Sequence, residues 1–241
     1  MGILADKIRA ARVPRATAVI AAGGTGTRFG GDKLMAELDG MPVLARTLMQ
    51  FEAAELVSDI VVVTRPASLE TVGELCKTYG ISKTRLVVPG GETRLLSVFA
   101  GVMAAENESG VIAIHDAARP LVTQRIITDA VWAAYRHGAA VPGMPVRDTI
   151  KAAEDSVVTD TPDRKKLFAV QTPQCFRAEV IRGALTYAVN NHLDVTDDCM
   201  AVERVGGQIY LTAGSEENIK ITTPQDLAVA ALILERRAAQ A

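Results

Sequence analysis

Runs of apolar, mostly β-branched residues alternate along the chain with segments in which apolar residues recur at helical spacing. Four of the runs predict β-strands. They are nearly continuous in apolar residues, as is typical of strands that are covered on both faces of a sheet. The four runs are TAVIA at 17–21, DIVVVT at 59–64, RLVVP at 85–89 and GVIAIHD at 110–116.

Four predicted helices lie between and after these strands. The last has the clearest start, because Thr223 can cap it, Pro224 suits the first helical position and Asp226 completes a capping box. The other three cover residues 67–78, residues 93 to about 107, and a segment that begins at Thr123.

The alternation of strands and helices predicts right-handed βαβ units and a mostly parallel sheet, which places the chain in the α/β class. Ligands of such sheets bind beyond the carboxyl ends of the strands. The segment from about 145 to 171 departs from this alternation. RDTIKAA and SVVTD there predict two short strands around a turn at Glu154-Asp155, so we expect an arm inserted into the α/β unit.

Composition excludes several classes of protein. The 241 residues contain an ordinary 49% of hydrophobic and 22% of charged residues, and the formal net charge of −2 favours neither a nucleic acid nor a membrane surface as a partner. No apolar run reaches the ~18 residues of a membrane span, and the N-terminus lacks the apolar core of a signal peptide. Residues 1–15 form a basic tail that we expect to be solvated.

The cysteine content indicates a reducing compartment. Cys76, Cys175 and Cys199 are odd in number and far apart, and none belongs to a CxxC pair. This pattern argues against both a disulfide framework and a structural zinc site. We therefore expect a cytoplasmic protein.

A glycine-rich stretch, AAGGTGTRFGGDK at 21–33, follows the first predicted strand. It is not a P-loop, because Gly26 and Gly31 have the required spacing but Asp32-Lys33 follows where Lys and then Ser or Thr are needed. It is not a dinucleotide fingerprint either, because Phe29 stands where the third glycine is needed. A plain turn remains the alternative, but a bare backbone with two nearby cations, Arg28 and Lys33, favours a phosphate site.

The same stretch resembles the loop of nucleotidyltransferases, in which Ala-Gly-Gly-x-Gly-x-Arg is followed by a lysine. Six further motifs then occur in order. With the loop they resemble the 2-C-methyl-D-erythritol 4-phosphate cytidylyltransferase family over residues 17 to about 235. These motifs are PGGETRLLSV (89–98), HDAARP (115–120), PVRDTIK (145–151), DRKKLFAVQTPQ (163–174), VTDD (195–198) and ENIKITTPQDL (217–227).

The resemblance implies a Rossmann-like three-layer sandwich, with one nucleotidyltransferase domain at 16–235. It also implies transfer of CMP from CTP to the methylerythritol phosphate with release of pyrophosphate. The residues matching the family's catalytic cations are Arg28, Lys33 and Lys220. Those matching its CTP contacts are Ala22, Gly23, Gly24, Gly26, Gly91, Glu92, Ser97 and Asp116.

Asp116 and Glu217 match acids that would hold Mg²⁺ in this family. Magnesium prefers one or two carboxylates together with phosphate oxygens. Glu217 is the looser match, because the family has an aspartate or a similar acid there. A helix or turn cap is the alternative for Asp116, and a surface lysine is the alternative for the neighbouring Lys220.

The resemblance implies that a sugar-alcohol phosphate is bound by arginine and hydroxyl groups, at Arg119, Thr149, Arg164, Thr172 and Thr196. In this family the inserted arm embraces a second protomer, so a homodimer is implied, with Arg164 acting on the partner's substrate. Without the resemblance Arg164 would be one charge in a solvated run. His115 is expected only to pack or cap, because an ionised phosphate oxygen needs no general base.

Three alternatives stay open. A ribitol 5-phosphate cytidylyltransferase would have the same fold and chemistry with another alcohol. An NAD(P)-dependent oxidoreductase is disfavoured by the failed dinucleotide fingerprint. A non-catalytic nucleotide-binding protein is disfavoured because Arg28, Lys33 and Asp116 are all retained.

Overall fold

A computed structural model describes residues 13–24, 29–106 and 110–240 of the chain. Most of the predicted basic tail, residues 1–12, lies outside the described residues. None of the helices in the described ranges is long and apolar enough to cross a membrane. Cys76, Cys175 and Cys199 are buried free thiols. The cytoplasmic location stays a prediction.

Twelve strands are present in the described part of the chain, and eight of them form one central sheet. The sheet strands are β1 (Ala16–Ala22), β4 (Val57–Thr64), β5 (Thr84–Pro89), β6 (Val111–Asp116), β7 (Ala139–Pro145), β10 (Phe168–Val170), β11 (Gln174–Arg177) and β12 (Tyr210–Ala213). The other four form two small hairpins, β2 (Glu37–Leu38) with β3 (Met41–Pro42), and β8 (Ala152–Glu154) with β9 (Val157–Asp160).

The sheet is mostly parallel, as predicted. Its order is β10-β7-β11-β6-β1-β4-β5, with β12 paired to β7. The strands β1, β4, β5 and β6 pair in parallel, and β12 is parallel to β7. Only β10 and β11 pair antiparallel to their neighbours within this sheet. Strand β1 is central, so the glycine-rich stretch leaves the middle of the sheet.

Helices cover both faces of the sheet and complete the predicted three-layer sandwich. One face packs against α1 (Val43–Glu52), α2 (Leu69–Thr78), α4 (Gln124–His137) and α7 (Pro224–Ala238). The other face packs against α3 (Arg94–Ala104), α5 (Ala178–Asn190) and α6 (Asp198–Arg204). The chain therefore has two hydrophobic cores, one on each side of the sheet.

The central strands contribute alternate residues to these two cores. In β1, Ala18 and Ile20 face one core while Val19 faces the other. This pattern confirms the prediction of strands covered on both faces for β1, β4 and β6. The run at 85–89 forms the edge strand β5 and is only partly covered, because Val87 packs against one core and Val88 against the other while Leu86 is 46% exposed. An apolar run does not reveal whether its strand has a neighbour on both sides.

The helix starts predicted at Thr93 and Thr123 are confirmed, and the helix predicted over 67–78 begins at Leu69. Thr93 accepts a hydrogen bond from the Leu96 N–H at the start of α3, and Thr123 does the same for α4. Helix α3 ends at Ala104, earlier than predicted, where Ala105 takes an extended conformation. Within α3, Gly101 allows close packing, because a Cβ at this position would lie 2.5 Å from a methyl carbon of Val63.

The inserted arm leaves the sheet at the end of β7 and returns at β10, where Phe168 pairs with Pro145. Between these points the β8–β9 hairpin is exposed along its whole length. Its turn is at Asp155-Ser156, one residue later than predicted, and both residues have positive φ. The arm is thus an excursion from the sheet that buries little surface against its own chain.

The capping box of α7 gives a direct test of the local sequence signal. The Thr223 hydroxyl oxygen accepts from the Asp226 N–H, and the Asp226 carboxylate accepts from the Thr223 N–H at 2.8 Å. Removing a cap of this kind costs about 1 kcal/mol. We expect Thr223→Ala to lower the free energy of unfolding by about that amount in urea denaturation. Thr71→Ala, on the exposed side of α2, is the control, and an equal loss in both variants would contradict the assignment.

Candidate functional site

A cavity of about 350 Å³ opens at the carboxyl ends of the central strands. Ligands of parallel α/β sheets bind at this end of the strands. Among the described residues, five separate segments form its wall: the end of β1 with the glycines after it, residues 33–34, the β5–α3 turn with the start of α3, the end of β6 with the turn after it, and the segment before α7. The residues that line it are Ala21, Gly23, Gly24, Lys33, Leu34, Gly91, Glu92, Thr93, Arg94, Ser97, Asp116, Ala117, Ala118 and Lys220.

Asp116, the last residue of β6, is the anionic centre of the cavity. Its side chain is only 14% exposed, and a carboxylate oxygen lies 2.9 Å from Lys220 Nζ and 3.5 Å from Arg119 Nε. Burial alone would raise the pKa of Asp116, but Lys220, Arg94 and Arg119 outweigh it and hold that pKa at about 2. Asp116 is therefore ionised at neutral pH and is compensated by several cations.

Lys33 also lines the cavity and is joined to the segment before α7. Its Nζ donates to the Ile221 carbonyl at 3.1 Å, and the Ile221 N–H donates to the Ala118 carbonyl at 2.8 Å. The structure thus brings Lys33 and Lys220, which are far apart in sequence, to one cavity. The predicted residues Gly26 and Arg28 lie outside the described residues.

Gly90 and Gly91 form a turn that admits no side chain. A Cβ on Gly91 would lie 2.5 Å from Leu96 Cβ, and one on Gly90 would lie 2.7 Å from Ser97 Oγ. The Ser97 hydroxyl is bound to the Thr93 carbonyl at 2.9 Å. This packing exposes the backbone of the turn to the cavity.

Most of the predicted CTP-binding residues line this cavity, namely Gly23, Gly24, Gly91, Glu92, Ser97 and Asp116. Ala22 does not. It is buried in the core between β1 and the helices, and Ala21 lines the cavity instead. The reason is the alternation of side chains along β1, which turns neighbouring residues to opposite faces.

Arg94 is a cavity residue that the sequence did not identify. Its guanidinium makes two hydrogen bonds to Asp198, at 2.8 and 2.6 Å, and the Asp198 side chain is only 2% exposed. The Asp198 N–H in turn donates to the Gln174 side chain at 3.0 Å. The pair joins the β5–α3 turn to α6. The two residues are 104 positions apart, so only their location in two of the family motifs could have suggested the pair.

The residues predicted to bind the alcohol phosphate are not all brought together. Arg119 and Thr172 adjoin Asp116, because the Thr172 hydroxyl oxygen accepts from the Asp116 N–H at 3.1 Å. Thr149 and Arg164 are exposed on the arm, where Arg164 donates to the Arg147 carbonyl at 2.8 Å. Thr196 is exposed just before α6, where it contacts Met200. These three residues are not among those that line the cavity of their own chain.

Glu217 does not share the cavity with Asp116. Its two carboxylate oxygens accept hydrogen bonds from arginines of α7. One accepts from Arg236, and the other accepts from Arg237 Nε at 2.7 Å. The hydrogen bond from Arg237 is the main cause of the lowered pKa of Glu217. Across the described residues no cluster of three or more His, Cys, Asp or Glu side chains could hold a metal. Of the two acids predicted to hold Mg²⁺, Asp116 lines the cavity and Glu217 does not.

Because Asp198 is buried and paired with Arg94, we expect that removal of Arg94 lowers the free energy of unfolding by an amount that depends on pH. The pKa of Asp198 is raised by burial, against the effect of Arg94. An acid whose folded pKa is raised destabilises the fold as pH rises through that pKa. Arg94→Leu leaves the carboxylate buried and unpaired, so we expect it to cost about 3 kcal/mol at pH 8 and less at pH 5, in denaturant titrations.

The control for this prediction is Arg94→Leu combined with Asp198→Asn. Without a charge on residue 198, the double variant should regain stability at pH 8 and lose the pH dependence. An equal loss in Arg94→Leu at both pH values would contradict the interpretation.

Residues 16–236 match the family described as IspD: 2-C-methyl-D-erythritol 4-phosphate cytidylyltransferase. A relative of that name from Caldanaerobacter subterraneus subsp. tengcongensis is 43% identical over 224 residues, covering 91% of this chain and 99% of the relative. One from Halalkalibacterium halodurans is 42% identical over 221 residues, covering 91% and 96%.

Solved structures show the same similarity. The 4-diphosphocytidyl-2C-methyl-D-erythritol synthase of Anaerococcus prevotii superposes with a TM-score of 0.82 at 27% identity, covering 92% of this chain and 96% of the other. The 2-C-methyl-D-erythritol 4-phosphate cytidylyltransferase of Thermus thermophilus gives 0.74 at 30% identity, covering 90% and 98%. These matches extend over nearly the whole chain. The chain therefore belongs to the 2-C-methyl-D-erythritol 4-phosphate cytidylyltransferase family.

Proposed function

We propose that this chain transfers the cytidylyl group of CTP to 2-C-methyl-D-erythritol 4-phosphate and releases pyrophosphate. The observation that best supports this proposal is the cavity at the carboxyl ends of the strands, which is lined by Lys33, Lys220, Asp116 and Gly91 of the glycine turn at 90–91. Family membership supports the substrates, since the relatives are named for this reaction. The product enters the synthesis of isoprenoid precursors.

The reaction requires stabilisation of negative charge more than proton transfer. A phosphate oxygen of the acceptor forms a bond to the α-phosphorus of CTP, while the bond from that phosphorus to the β-phosphate oxygen breaks and pyrophosphate leaves with the electron pair. The acceptor phosphate has a second pKa of ~6, so its oxygen is ionised at pH 7 and needs no base. Lys33 and Lys220 would bind the triphosphate and stabilise the charge that develops at phosphorus and on the leaving group.

The β5–α3 turn would hold the cytosine. Gly91 lines the cavity, and the Ser97 hydroxyl donates to the Gly91 carbonyl at 3.2 Å. Backbone N–H and C=O groups can pair with the polar edge of a pyrimidine, and a narrow turn leaves little room for a purine. Arg28 would complete the phosphate site, in the role that the family resemblance implies for it.

A magnesium ion fits this site through one protein ligand. Asp116 is ionised and faces the cavity, and Mg²⁺ is commonly held by one or two carboxylates together with substrate phosphates. When bound there, the ion would neutralise phosphate charge. Because the oxygens of Glu217 are bound to arginines, we expect Glu217→Gln to keep the Mg²⁺ dependence of activity, in a metal titration, while Asp116→Asn raises the Mg²⁺ requirement at least ~10-fold. The reverse order of effects would make Glu217 the ligand.

The arm would form a homodimer and complete the partner's site. Val157 is 66% and Val158 is 56% exposed on the β8–β9 hairpin, which is more apolar surface than a solvated hairpin needs. Thr149 and Arg164 lie on the same arm, outside their own chain's cavity. A two-fold related partner would cover the apolar hairpin and receive these two residues at its acceptor site.

Mixing two inactive variants tests the shared site. We expect Arg164→Ala and Lys33→Ala to regain activity when they are unfolded together and refolded, because one of the two sites in a mixed dimer then has both residues intact. Each variant refolded alone is the control. No recovery, in mixtures shown by mass spectrometry to contain mixed dimers, would mean that the arm serves its own chain.

The loop lysine provides the sharpest single-residue prediction. Lys33→Ala should lower kcat at least ~100-fold, the scale of removing one fixed transition-state donor. Lys77→Ala is the matched control, since this lysine is exposed on α2 and pairs with Glu74. Turnover of the Lys33 variant near that of the control would show that the loop is only a turn.

Pyrophosphate release tests the proposed function itself. The protein is incubated with CTP, Mg²⁺ and either 2-C-methyl-D-erythritol 4-phosphate or ribitol 5-phosphate. We expect faster release with the methylerythritol phosphate. Faster release with ribitol phosphate would favour the alternative alcohol, and none with either acceptor, together with unaltered CTP binding, would favour a non-catalytic nucleotide-binding protein. Tight NADH binding would favour the oxidoreductase.

A further inference from the structure

His115 is a buried polar residue that the proposed reaction does not use. It precedes Asp116 in β6, is 0% exposed, and its ring lies 4.8 Å from the ring of Phe51. Burial lowers the pKa of His115 to about 4, so the ring is neutral near pH 7. A neutral imidazole has one N–H donor and one acceptor nitrogen, and a buried one needs a partner for each.

Both ring nitrogens of His115 have partners that belong to the functional site. Nδ1 lies 2.9 Å from the Thr172 hydroxyl oxygen, and Nε2 lies 3.1 Å from the Arg119 carbonyl oxygen. The Thr172 hydroxyl oxygen also accepts from the Asp116 N–H at 3.1 Å. His115 is thus bonded to groups on both sides of the 116–119 turn.

The groups at the two ends of this series of hydrogen bonds fix the direction in which the bonds donate. The backbone N–H of Asp116 can only donate, and the carbonyl of Arg119 can only accept. The one consistent order therefore runs from the Asp116 N–H to the Thr172 oxygen, from the Thr172 hydroxyl hydrogen to Nδ1, and from the Nε2 hydrogen to the Arg119 carbonyl. The opposite tautomer would set the bare Nε2 against a carbonyl oxygen.

Two further hydrogen bonds close this series of hydrogen bonds into a ring. Arg119 Nη1 donates to the Asn218 carbonyl at 2.7 Å, and Asn218 Nδ2 donates to the Thr172 carbonyl at 3.0 Å. Asn218 is 0% exposed and Thr172 is 5% exposed. The ring of hydrogen bonds therefore passes through His115, Thr172, Asn218 and Arg119 in a largely buried environment, where such bonds are strong and costly to leave unmade.

We propose that His115 is a positioning residue for cytidylyl transfer: by binding Thr172 and the Arg119 carbonyl it fixes the 116–119 turn, which carries Asp116 toward the nucleotide and Arg119 toward the acceptor phosphate. This inference rests on the proposed function. It also gives Thr172 a different role from the one that the resemblance implies. The hydroxyl hydrogen of Thr172 is used on His115, so Thr172 holds the Asp116 backbone instead of donating that hydrogen to the acceptor.

Five variants separate positioning from simple packing. His115→Phe keeps the ring volume and the Phe51 contact but removes both hydrogen bonds. Thr172→Val removes the hydroxyl at constant shape, and Thr172→Ser keeps it. His115→Asn keeps an acceptor near the Nδ1 position. The fifth is the double variant His115→Phe with Thr172→Val.

We expect His115→Phe and Thr172→Val each to lower kcat/KM about 10- to 100-fold, the scale of a small misplacement of reacting groups. The double variant should be no more than ~3-fold worse than the poorer single variant, because both substitutions break the same chain of bonds. Thr172→Ser should stay within ~3-fold of the wild type, and His115→Asn should be more active than His115→Phe.

A folded His115→Phe protein with wild-type kcat/KM, or effects that multiply in the double variant, would overturn the proposal. If His115→Phe does not fold, Thr172→Val against Thr172→Ser decides, and equal activities would overturn it. Nitrogen NMR of ¹⁵N-histidine-labelled wild-type protein gives a readout that does not need activity. We expect the Nε2–H tautomer for the buried ring, and the Nδ1–H tautomer would contradict the proposal. An inactive wild type would instead count against the proposed function.

Discussion

The carboxylate of Asp116 lies at the end of a central strand, and cations from three other parts of the chain gather around it. Lys220 comes from the segment before α7, Arg119 from the turn after β6, and Arg94 from the β5–α3 turn. A carboxylate this buried stays ionised only when positive charge is close by. The loops at this end of the sheet are therefore arranged around one charge, and the cavity is the space that they leave.

The same arrangement explains how the site is made rigid. Lys33 is bound to the segment before α7, Arg94 is bound to α6 through Asp198, and His115 joins the 116–119 turn to Thr172. Each contact links two segments that are distant in sequence, so Lys33 and Arg94 are held before any ligand arrives. Fixed charges of this kind stabilise a transition state without reorganising during the reaction. The arm is the exception, because its residues have little contact with this network.

Local signals in the sequence were sufficient for much of the fold. Apolar runs predicted the strands β1, β4 and β6, and the capping residues Thr93, Thr123 and Thr223 predicted the starts of α3, α4 and α7. Both signals are local, because a helix cap and the spacing of apolar residues depend on neighbours in the sequence. The edge position of β5 depends on the tertiary neighbours of that strand, which no local pattern encodes. The turn of the arm lies one residue later than predicted, at Asp155-Ser156, where both residues have positive φ.

The site was predicted less evenly than the fold. Family motifs located Lys33, Asp116 and the glycine turn, because these residues occupy characteristic loops. They did not identify the Arg94–Asp198 pair or the hydrogen bonds of His115, which join residues distant in sequence. The arginines that bind Glu217, Arg236 and Arg237, lie beyond the motif at 217–227, so that motif did not indicate these contacts.

A crystal structure of the protein with CTP and Mg²⁺ tests the central claim most directly. The account predicts triphosphate oxygens within hydrogen-bond distance of Lys33 and Lys220 Nζ, with the cytosine edge against the backbone at 90–91. Nucleotide bound at another surface, or in this cavity with its triphosphate away from both lysines, would contradict it.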